Sequence, residues 1–539
     1  MAARSYPQDY LVEIPTENAK DIGRISRAVS IDNARNGTIT AYANENELVE
    51  LRKILSQSQF RSYRMSLSKS GDYIDMADKI EDMKDWAHYP TYETYIEMME
   101  DFTRRCPELC ELVEIGKSVE NRKILALRLT AEGDTTARPR FFLTSTMHGD
   151  ETCGFILSLR LIDYLLTNYG TDSATSRILD NIVLYINPLS NPDGTYRGGN
   201  ATVARAQRYN ANNIDLNRNF PQIGAVAKST SSYEPETVAM MDFAKSRRFT
   251  MSANMHGGDE VLNYPWDSFY EYELSLPDKP WFEAICSKYI ATLRAHAPNA
   301  MKSVNAKGYV FGSEWYKVSG GRQDWMMASQ RCREITIELS NIKLLRCDLL
   351  DEYWQRNRDA LIAFLGDALQ GISGRVTSMD GKPIEAQIYL DGHDANFSSV
   401  KCDKEGMFFR PTLAGRQYEV CAVADGYETQ CKPVSTTENE LTALDFTLNE
   451  GISEYTATEN IAVKTSKPAI TIIDDMMTAT SDLEIDRLIV TDILGRTVAT
   501  YRPHSTTFRC PTYNFNSGIY VIRIQTGTTA TSTKIFINK

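Results

Sequence analysis

Arg140-Phe-Phe-Leu-Thr-Ser-Thr-Met-His148-Gly-Asp-Glu151-Thr-Cys-Gly154 leads from an apolar, aromatic strand pattern through a short polar loop into a helix pattern. That helix, around Cys153 to Leu166, is apolar except at positions such as Arg160 and Asp163. A strand feeding a helix of this kind is the repeating unit of an α/β sheet. From Tyr89 to about Gln370 strands keep alternating with long amphipathic helices. Residues 85–370 therefore read as one α/β domain on a mixed sheet.

Outward from it the pattern changes on both sides. In residues 1–84, Tyr10 to Ile14 and Gly37 to Ala43 read as strands, and Ala19 to Val29 as a helix. Glu45 to Leu55 is a second helix, with Leu48, Leu51 and Leu55 on one face, and a strand is expected near Phe60 to Met65. This is a small α+β module, with Ser68 to Lys84 as a polar connector. After Gly371 short strands separated by Asp-Gly turns predict an all-β sandwich over 371–449. A Ser/Thr-rich linker, 450–467, precedes a last all-β module, 468–539.

Composition bounds the function classes. The chain has 539 residues, enough for several cores, and 59 basic against 71 acidic residues, a net charge of −12. Nucleic acid is not an expected partner, since phosphate binding needs a basic face. No apolar run is long enough to span a membrane. The ten cysteines show no paired zinc-type spacing, so they read as buried thiols or, in an exported protein, disulfides. The opening Met1-Ala-Ala-Arg-Ser-Tyr-Pro lacks the apolar core of a signal peptide. The expectation is a cytosolic protein or one whose signal has been removed.

Only six histidines are available, and two sit where strands end. His148 and Glu151, three residues apart in a strand-to-helix loop, can face one metal ion. His256, in Ala253-Asn-Met-His-Gly-Gly, is the natural third ligand, which leaves a fourth tetrahedral position for water. Such a histidine–glutamate pair is common by chance, and its neighbours in the sequence are what distinguish it. Asp215-Leu-Asn-Arg-Asn-Phe-Pro concentrates hydrogen-bonding side chains and a guanidinium in one loop, with Arg218 ten residues after Arg208. Arginine forks suit bidentate recognition of carboxylates. Glu338 interrupts the apolar strand Ile335-Thr-Ile-Glu-Leu, where a carboxylate is costly unless paired or working. Tyr316 precedes Ser319-Gly-Gly, a hinge suited to a mobile side chain. His88, His296, His393 and His504 fall outside every motif.

Taken together these segments resemble the zinc metallocarboxypeptidases, and more narrowly the carboxypeptidase N/E type. HxxE, DLNRNFP, HGG…NYPxD and SGG-x-QDW stand in that family's order across roughly residues 85–370. The resemblance implies one Zn2+ per chain held by His148, Glu151 and His256, with Asp215 supporting the first histidine. It implies Glu338 as general base toward a zinc-activated water and Arg208 as the group polarising the scissile carbonyl. Asn217, Arg218 and Tyr316 would grip the terminal carboxylate of a peptide, which makes the activity an exopeptidase one. Asp267, closing Asn263-Tyr-Pro-Trp-Asp, would pair with a C-terminal Lys or Arg; where the digestive basic-specific enzymes carry an acidic residue this chain has Gln323. The sequence departs from the N/E pattern at Asp150, at Trp266 and over residues 268–280. Alternative readings are a peptidase of the same fold acting on cell-wall peptides, and a non-catalytic binding or adhesin protein.

The flanks carry further likenesses. Residues 371–449 resemble the transthyretin-like sandwich that follows the catalytic domain in N/E-type enzymes. The last module, with Val490-Thr-Asp-Ile-Leu-Gly-Arg and Gly518-Ile-Tyr-Val-Ile-Arg-Ile, resembles the C-terminal sorting domain of type IX secretion. That resemblance implies passage through the periplasm to a secreted or cell-surface location, the secretion machinery as a partner, and a signal peptide trimmed from the start. The first module is a candidate propeptide over the cleft.

Overall fold

The computed structural model describes residues 10–16, 74–224 and 229–451 without interruption, and 21–67 and 469–537 with short gaps. Residues 1–270 with 276–459 form one compact unit, and 460–539 with 271–275 a second.

The first module is a four-stranded antiparallel sheet of β1 (Tyr10–Pro15), β2 (Ser30–Arg35), β3 (Thr38–Ala43) and β4 (Arg64–Leu67), in the order β2-β3-β1-β4. Between β3 and β4 lie α1 (Glu45–Ile54) and α2 (Gln57–Ser62). The expected strand near Phe60 to Met65 is therefore a helix in its first half. Ser56 caps that helix by accepting from Gln59 N, and the Gln59 side chain returns to Ser56 N, a reciprocal cap that overrides local strand propensity. Of the helix expected over Ala19 to Val29, Asp21, Arg24 and Ile25 are helical; much of the rest lies outside the described residues. The connector is not all loop: β5 (Met76–Ala77) pairs in parallel with β6 (Tyr89–Pro90), and Asp75 N lies 3.2 Å from Cys347 Sγ. The chain is thus packed on the catalytic domain from about Asp75 onward rather than from residue 85.

After α3 (Tyr92–Arg105) come β7 (Cys110–Lys117), β8 (Lys123–Leu129), β9 (Arg140–Ser145), α4 (Cys153–Asn168), α5 (Ser173–Asn181) and β10 (Val183–Asn187). They are followed by α6 (Pro235–Arg247), β11 (Met251–His256), β12 (Glu260–Tyr264), α7 (Lys279–His296), β13 (Tyr309–Phe311), α8 (Arg322–Gln330), β14 (Arg333–Leu339) and α9 (Leu350–Gly366). The eight strands run β13-β12-β14-β11-β9-β10-β8-β7. Four central strands, β14, β11, β9 and β10, are mutually parallel, and β12 and β8 pair with them antiparallel. This is the mixed sheet expected. Adjacent residues of β9 face opposite layers: Phe141 packs on Phe364 of α9 at 5.3 Å, and Phe142 on Phe243 of α6 and on Phe249 at 5.3 and 4.7 Å. Both faces are covered, which is why β10, β11 and β14 are buried along their whole length.

The sandwich consists of β15 (Gly371–Ser378), β16 (Gln387–Leu390), β17 (Val400–Lys401), β18 (Met407–Pro411), β19 (Gln417–Val423), β20 (Gln430–Ser435), β21 (Leu441–Ala443) and β22 (Phe446–Leu448). Two four-stranded sheets enclose Ile372, Val376, Ile388, Phe408, Val420 and Phe446. Cys421 and Cys431, directly opposed on β19 and β20, form a disulfide; the other eight cysteines are free thiols. A buried charge network joins this sandwich to the catalytic domain. Asp278 accepts from Arg410 at 2.8 Å and Arg333 at 2.7 Å, and Arg410 also holds Asp394. The second unit is likewise all β, with Met477, Leu488, Val490, Ile522 and Ile524 in its core. The expected linker lies almost wholly outside the described residues.

Candidate active site

Parallel strands deliver their C-terminal ends to one edge of a sheet, and ligands of α/β folds gather there. His148 follows the end of β9, Glu151 stands just before α4, and His256 is the last residue of β11. Their donor atoms converge. The Nδ1 atoms of the two histidines are 3.0 Å apart, and Glu151 Oε2 lies 2.9 Å from one and 2.8 Å from the other. Donors about 2.0–2.1 Å from a tetrahedral zinc stand roughly 3.3 Å from one another, so the three atoms form one face of such a site.

The outer atoms of these residues are tied back. Asp215 Oδ1 lies 3.1 Å from His148 Nε2, and Asn254 Nδ2 lies 2.6 Å from His256 Nε2, which turns both Nδ1 atoms inward. Glu151 Oε1 accepts from Lys343 Nζ at 2.8 Å and from Arg208 Nη1 at 3.2 Å, leaving Oε2 facing the histidines. Burial would raise the Glu151 carboxyl, but His148, Lys343 and His256 hold it well below its ordinary value. Burial drives His256 down to about 4, so it stays neutral, the form that binds a metal. The imidazoles of His148 and His256 with the Glu151 carboxylate, converged and braced, fit a zinc ion with a fourth position open to water. Asp215 also caps a helical turn by accepting from Asn217 N at 2.9 Å, and its other oxygen accepts from Arg208 Nε at 3.1 Å. Turn cap and histidine support are thus one side chain, and the neighbouring Asp150, also buried, has its carboxyl raised by that burial.

Register brings Glu338 to the same place. On adjacent parallel strands, His256 of β11 is level with Glu338 of β14, and two residues earlier Asn254 is level with Thr336. Side chains two apart on a strand share a face, so Glu338 and Thr336 line one cavity with the three donors. Arg208, Asn217, Arg218, Asp267 and Tyr316 line it too. Arg218 donates from Nη1 to the carbonyl of Asn217 at 3.0 Å. Its Nη2 is buried and has no hydrogen-bond partner among the described residues. Asn217 Oδ1 accepts from Arg322 N at 3.0 Å. Asp267 accepts from Gln323 Nε2 at 2.9 Å and is pressed against Gly312, where a Cβ would come within 1.9 Å of its Oδ1. Burial, then the nearby Asp324, raises the Asp267 carboxyl well above its ordinary value, with Arg218 opposing.

The family model for zinc carboxypeptidases matches residues 95–360. Carboxypeptidase SOL1 of Arabidopsis thaliana is 33% identical over 67% of this chain and 72% of its own length. The chain belongs to the zinc carboxypeptidase family. Human carboxypeptidase D is 31% identical over 78% of the chain, which spans 31% of that longer protein. Carboxypeptidase A from Helicoverpa armigera shares the fold, with a TM-score of 0.50 at 18% identity over 67% of this chain and 97% of that one. Residues 466–538 match the secretion system C-terminal sorting domain, so this metallocarboxypeptidase is a secreted or cell-surface protein. No described helix is long and apolar enough to cross a membrane.

The structure thus gathers all ten sequence-predicted residues in and around one cavity. Sequence reasoning missed Asn254 and Lys343, which brace two of the donors; the only signals were spacings of two residues before His256 and five after Glu338. It also missed Ile31. This residue of β2, in the first module, is 1% exposed and lines the same cavity as the three donors. Glu47 of α1 accepts from the hydroxyl of Tyr209, the neighbour of Arg208, at 2.7 Å. Nothing local in the sequence marks either contact. Of the remaining histidines, His88, His296 and His393 stand beside carboxylates away from this cavity, and His504 lies outside the described residues.

Proposed function

We propose that this enzyme removes C-terminal Lys or Arg from peptides and proteins, with one zinc ion held by His148, Glu151 and His256. When bound there, zinc supplies Lewis acidity and a water of lowered pKa. Glu338 is placed to take a proton from that water and to return it to the leaving amine. Arg208, anchored by Asp215 and Glu151, presents its guanidinium toward the position of a developing oxyanion. Asn217, Arg218 and Tyr316 orient the terminal carboxylate, and Asp267 with Gln323 receives the basic side chain.

One observation carries the exopeptidase reading: the buried, unpartnered Nη2 of Arg218 in the same cavity as the three donors. A buried guanidinium donor without a partner is costly and fits a carboxylate ligand. The test is release of the terminal residue from matched peptides ending in Lys, Arg, Leu or amidated Arg, with and without a zinc chelator. Chelator-sensitive release of Lys and Arg, with the amide refused, is expected. Release of Leu at an equal rate sinks the assignment of Asp267, and no metal dependence sinks the zinc mechanism.

The first module is proposed to block this cleft until it is removed. With Ile31 at the cavity wall the space beside the donors is only about 20 Å3, enough for a water or an ion and far short of a lysine side chain. Proteolytic release of the module, cut between residues 67 and 74, is expected to raise activity; unchanged activity after complete release removes the blocking role. The sorting domain is proposed to pass the chain to the secretion machinery and then to be cleaved off.

A further inference from the structure

The opposite end of the central sheet holds a second cavity, of about 300 Å3, where the catalytic domain meets the sandwich. It lies at the N-terminal ends of β9 and β11 and at the C-terminal ends of α6 and α8. Five cations line it, Arg140, Lys245, Arg248, Arg331 and Lys401, against one carboxylate, Asp403. In a chain of net charge −12 that concentration runs against the overall balance. Asp403 is already engaged: Arg140 reaches it at 3.4 Å, and its other oxygen accepts from Glu405 N and Met407 N. Glu385, outside the cavity wall, accepts from Arg248 at 2.7 Å. Lys245 pairs with Asp242 at 3.2 Å, and these three acids against five cations still leave an excess of positive charge.

Basic residues after helix C-termini complement the helix dipole, and Lys245 in the last turn of α6 needs no more explanation than that. The two caps do. Arg248 ends α6 at φ +51 and Arg331 ends α8 at φ +58. That left-handed position belongs by preference to glycine or asparagine, because a Cβ is strained there. Both strained caps are arginines, and both face one cavity. The Arg248 side chain crosses to the carbonyl of Cys402, and the Arg331 guanidinium sits 4.9 Å over the Phe397 ring, so each is held by the sandwich. Phe249, Phe408 and Phe409 form an apolar wall beside the charges. Strain kept at two positions that converge on one space points to use of that space.

We propose that this cavity binds a small organic phosphate or sulfate monoester. The cations take the tetrahedral oxyanion, and the aromatic wall takes the organic body. Its volume is at the lower end for small-molecule sites, larger than a bare oxyanion needs. The site is distinct from the zinc centre, which lies at the other ends of the same strands, and it does not rest on the substrate preference proposed above.

The test is titration calorimetry of the full-length, zinc-loaded protein with glucose 6-phosphate, glucose 6-sulfate, inorganic phosphate and glucose. Binding of one or both esters with a Kd below about 1 mM, several-fold weaker at high salt, is expected, and the stronger ester identifies the oxyanion. Inorganic phosphate should bind at least fivefold more weakly and glucose not at all. The double variant R248N/R331N keeps residues that tolerate the left-handed caps and should lose at least tenfold in ester affinity, with peptide hydrolysis unchanged. Lys401→Glu, at an exposed position, should weaken binding at least fivefold and gives a second reading if the double variant does not fold. Absence of ester binding at 10 mM (roughly ten times that Kd), equal affinity for inorganic phosphate, or undiminished affinity in the folded variants would overturn the proposal.

Discussion

Replacing Arg218 with Gln removes the charge proposed to read the substrate's free C-terminus and keeps a side chain of similar reach. In the free protein Arg218 gives up little: Nη1 donates to the carbonyl of Asn217 at 3.0 Å, while Nη2 has no partner among the described residues. The loss should therefore fall on the complex rather than on folding. Truncating one partner of a buried, hydrogen-bonded charge pair costs about 2–5 kcal/mol. At about 1.4 kcal/mol per tenfold, kcat/KM for a free-acid peptide should fall by about 30-fold to several thousand-fold. For the amidated peptide, which offers no charge to Arg218, the fall should be less than about threefold, roughly 0.6 kcal/mol. The quantity to measure is the acid-to-amide ratio of kcat/KM on protein freed of its first module, with zinc content checked in both forms. The ratio should collapse toward unity. An unchanged ratio, with activity on both peptides lowered equally, would mean that Arg218 shapes the loop and does not read the carboxylate.

Asp267→Ala should abolish the preference for Lys and Arg while leaving zinc content at one per chain; retained preference in a specificity screen would refute its role. Because burial and Asp324 raise the Asp267 carboxyl, its charge develops as pH rises, so the Lys-to-Leu ratio of the native enzyme should increase with pH. The same raised value means that any stability it lends is greatest in acid and declines as pH rises. Asp215→Ala should weaken zinc binding about 10- to 100-fold in chelator competition, and an unchanged affinity would leave it as a turn cap alone. Arg410→Met strips the principal cation from Asp278 and Asp394 and should lower stability by about 3–5 kcal/mol; a loss below about 1 kcal/mol in urea unfolding would show that Arg333 alone holds the network.

Strands buried on both faces announce themselves in sequence, so Arg140–Ser145 and Arg333–Leu339 were readable as strands and the mixed sheet followed. Chemistry-bearing residues at strand ends were readable for the same reason, because His148, His256 and Glu338 interrupt apolar runs. That His256 and Glu338 lie level on neighbouring strands was not, since register between parallel strands separated by some eighty residues leaves no local trace. The helix Gln57–Ser62 was misread although its cap, Ser56 with Gln59, is written in the sequence; the aromatic residues around it suggested a strand instead. Ile31 was invisible as a site residue because it belongs to the core of its own module and also lines a cavity built by a domain far along the chain. An isoleucine in a short strand carries the same pattern whether it meets its own core or another module's.

The thiols set a condition on how this chain can travel. Burial raises Cys110, Cys332 and Cys402 to about 12, and Cys153 and Cys286 higher still. Thiolate is the species that attacks disulfides, so once folded these five buried thiols offer almost none to an oxidising medium. Only Cys421 and Cys431 are committed to a bond. For these five the hazard of wrong pairing is therefore confined to the interval before the cores close, and once folded they can stay reduced outside the cell without a reductant.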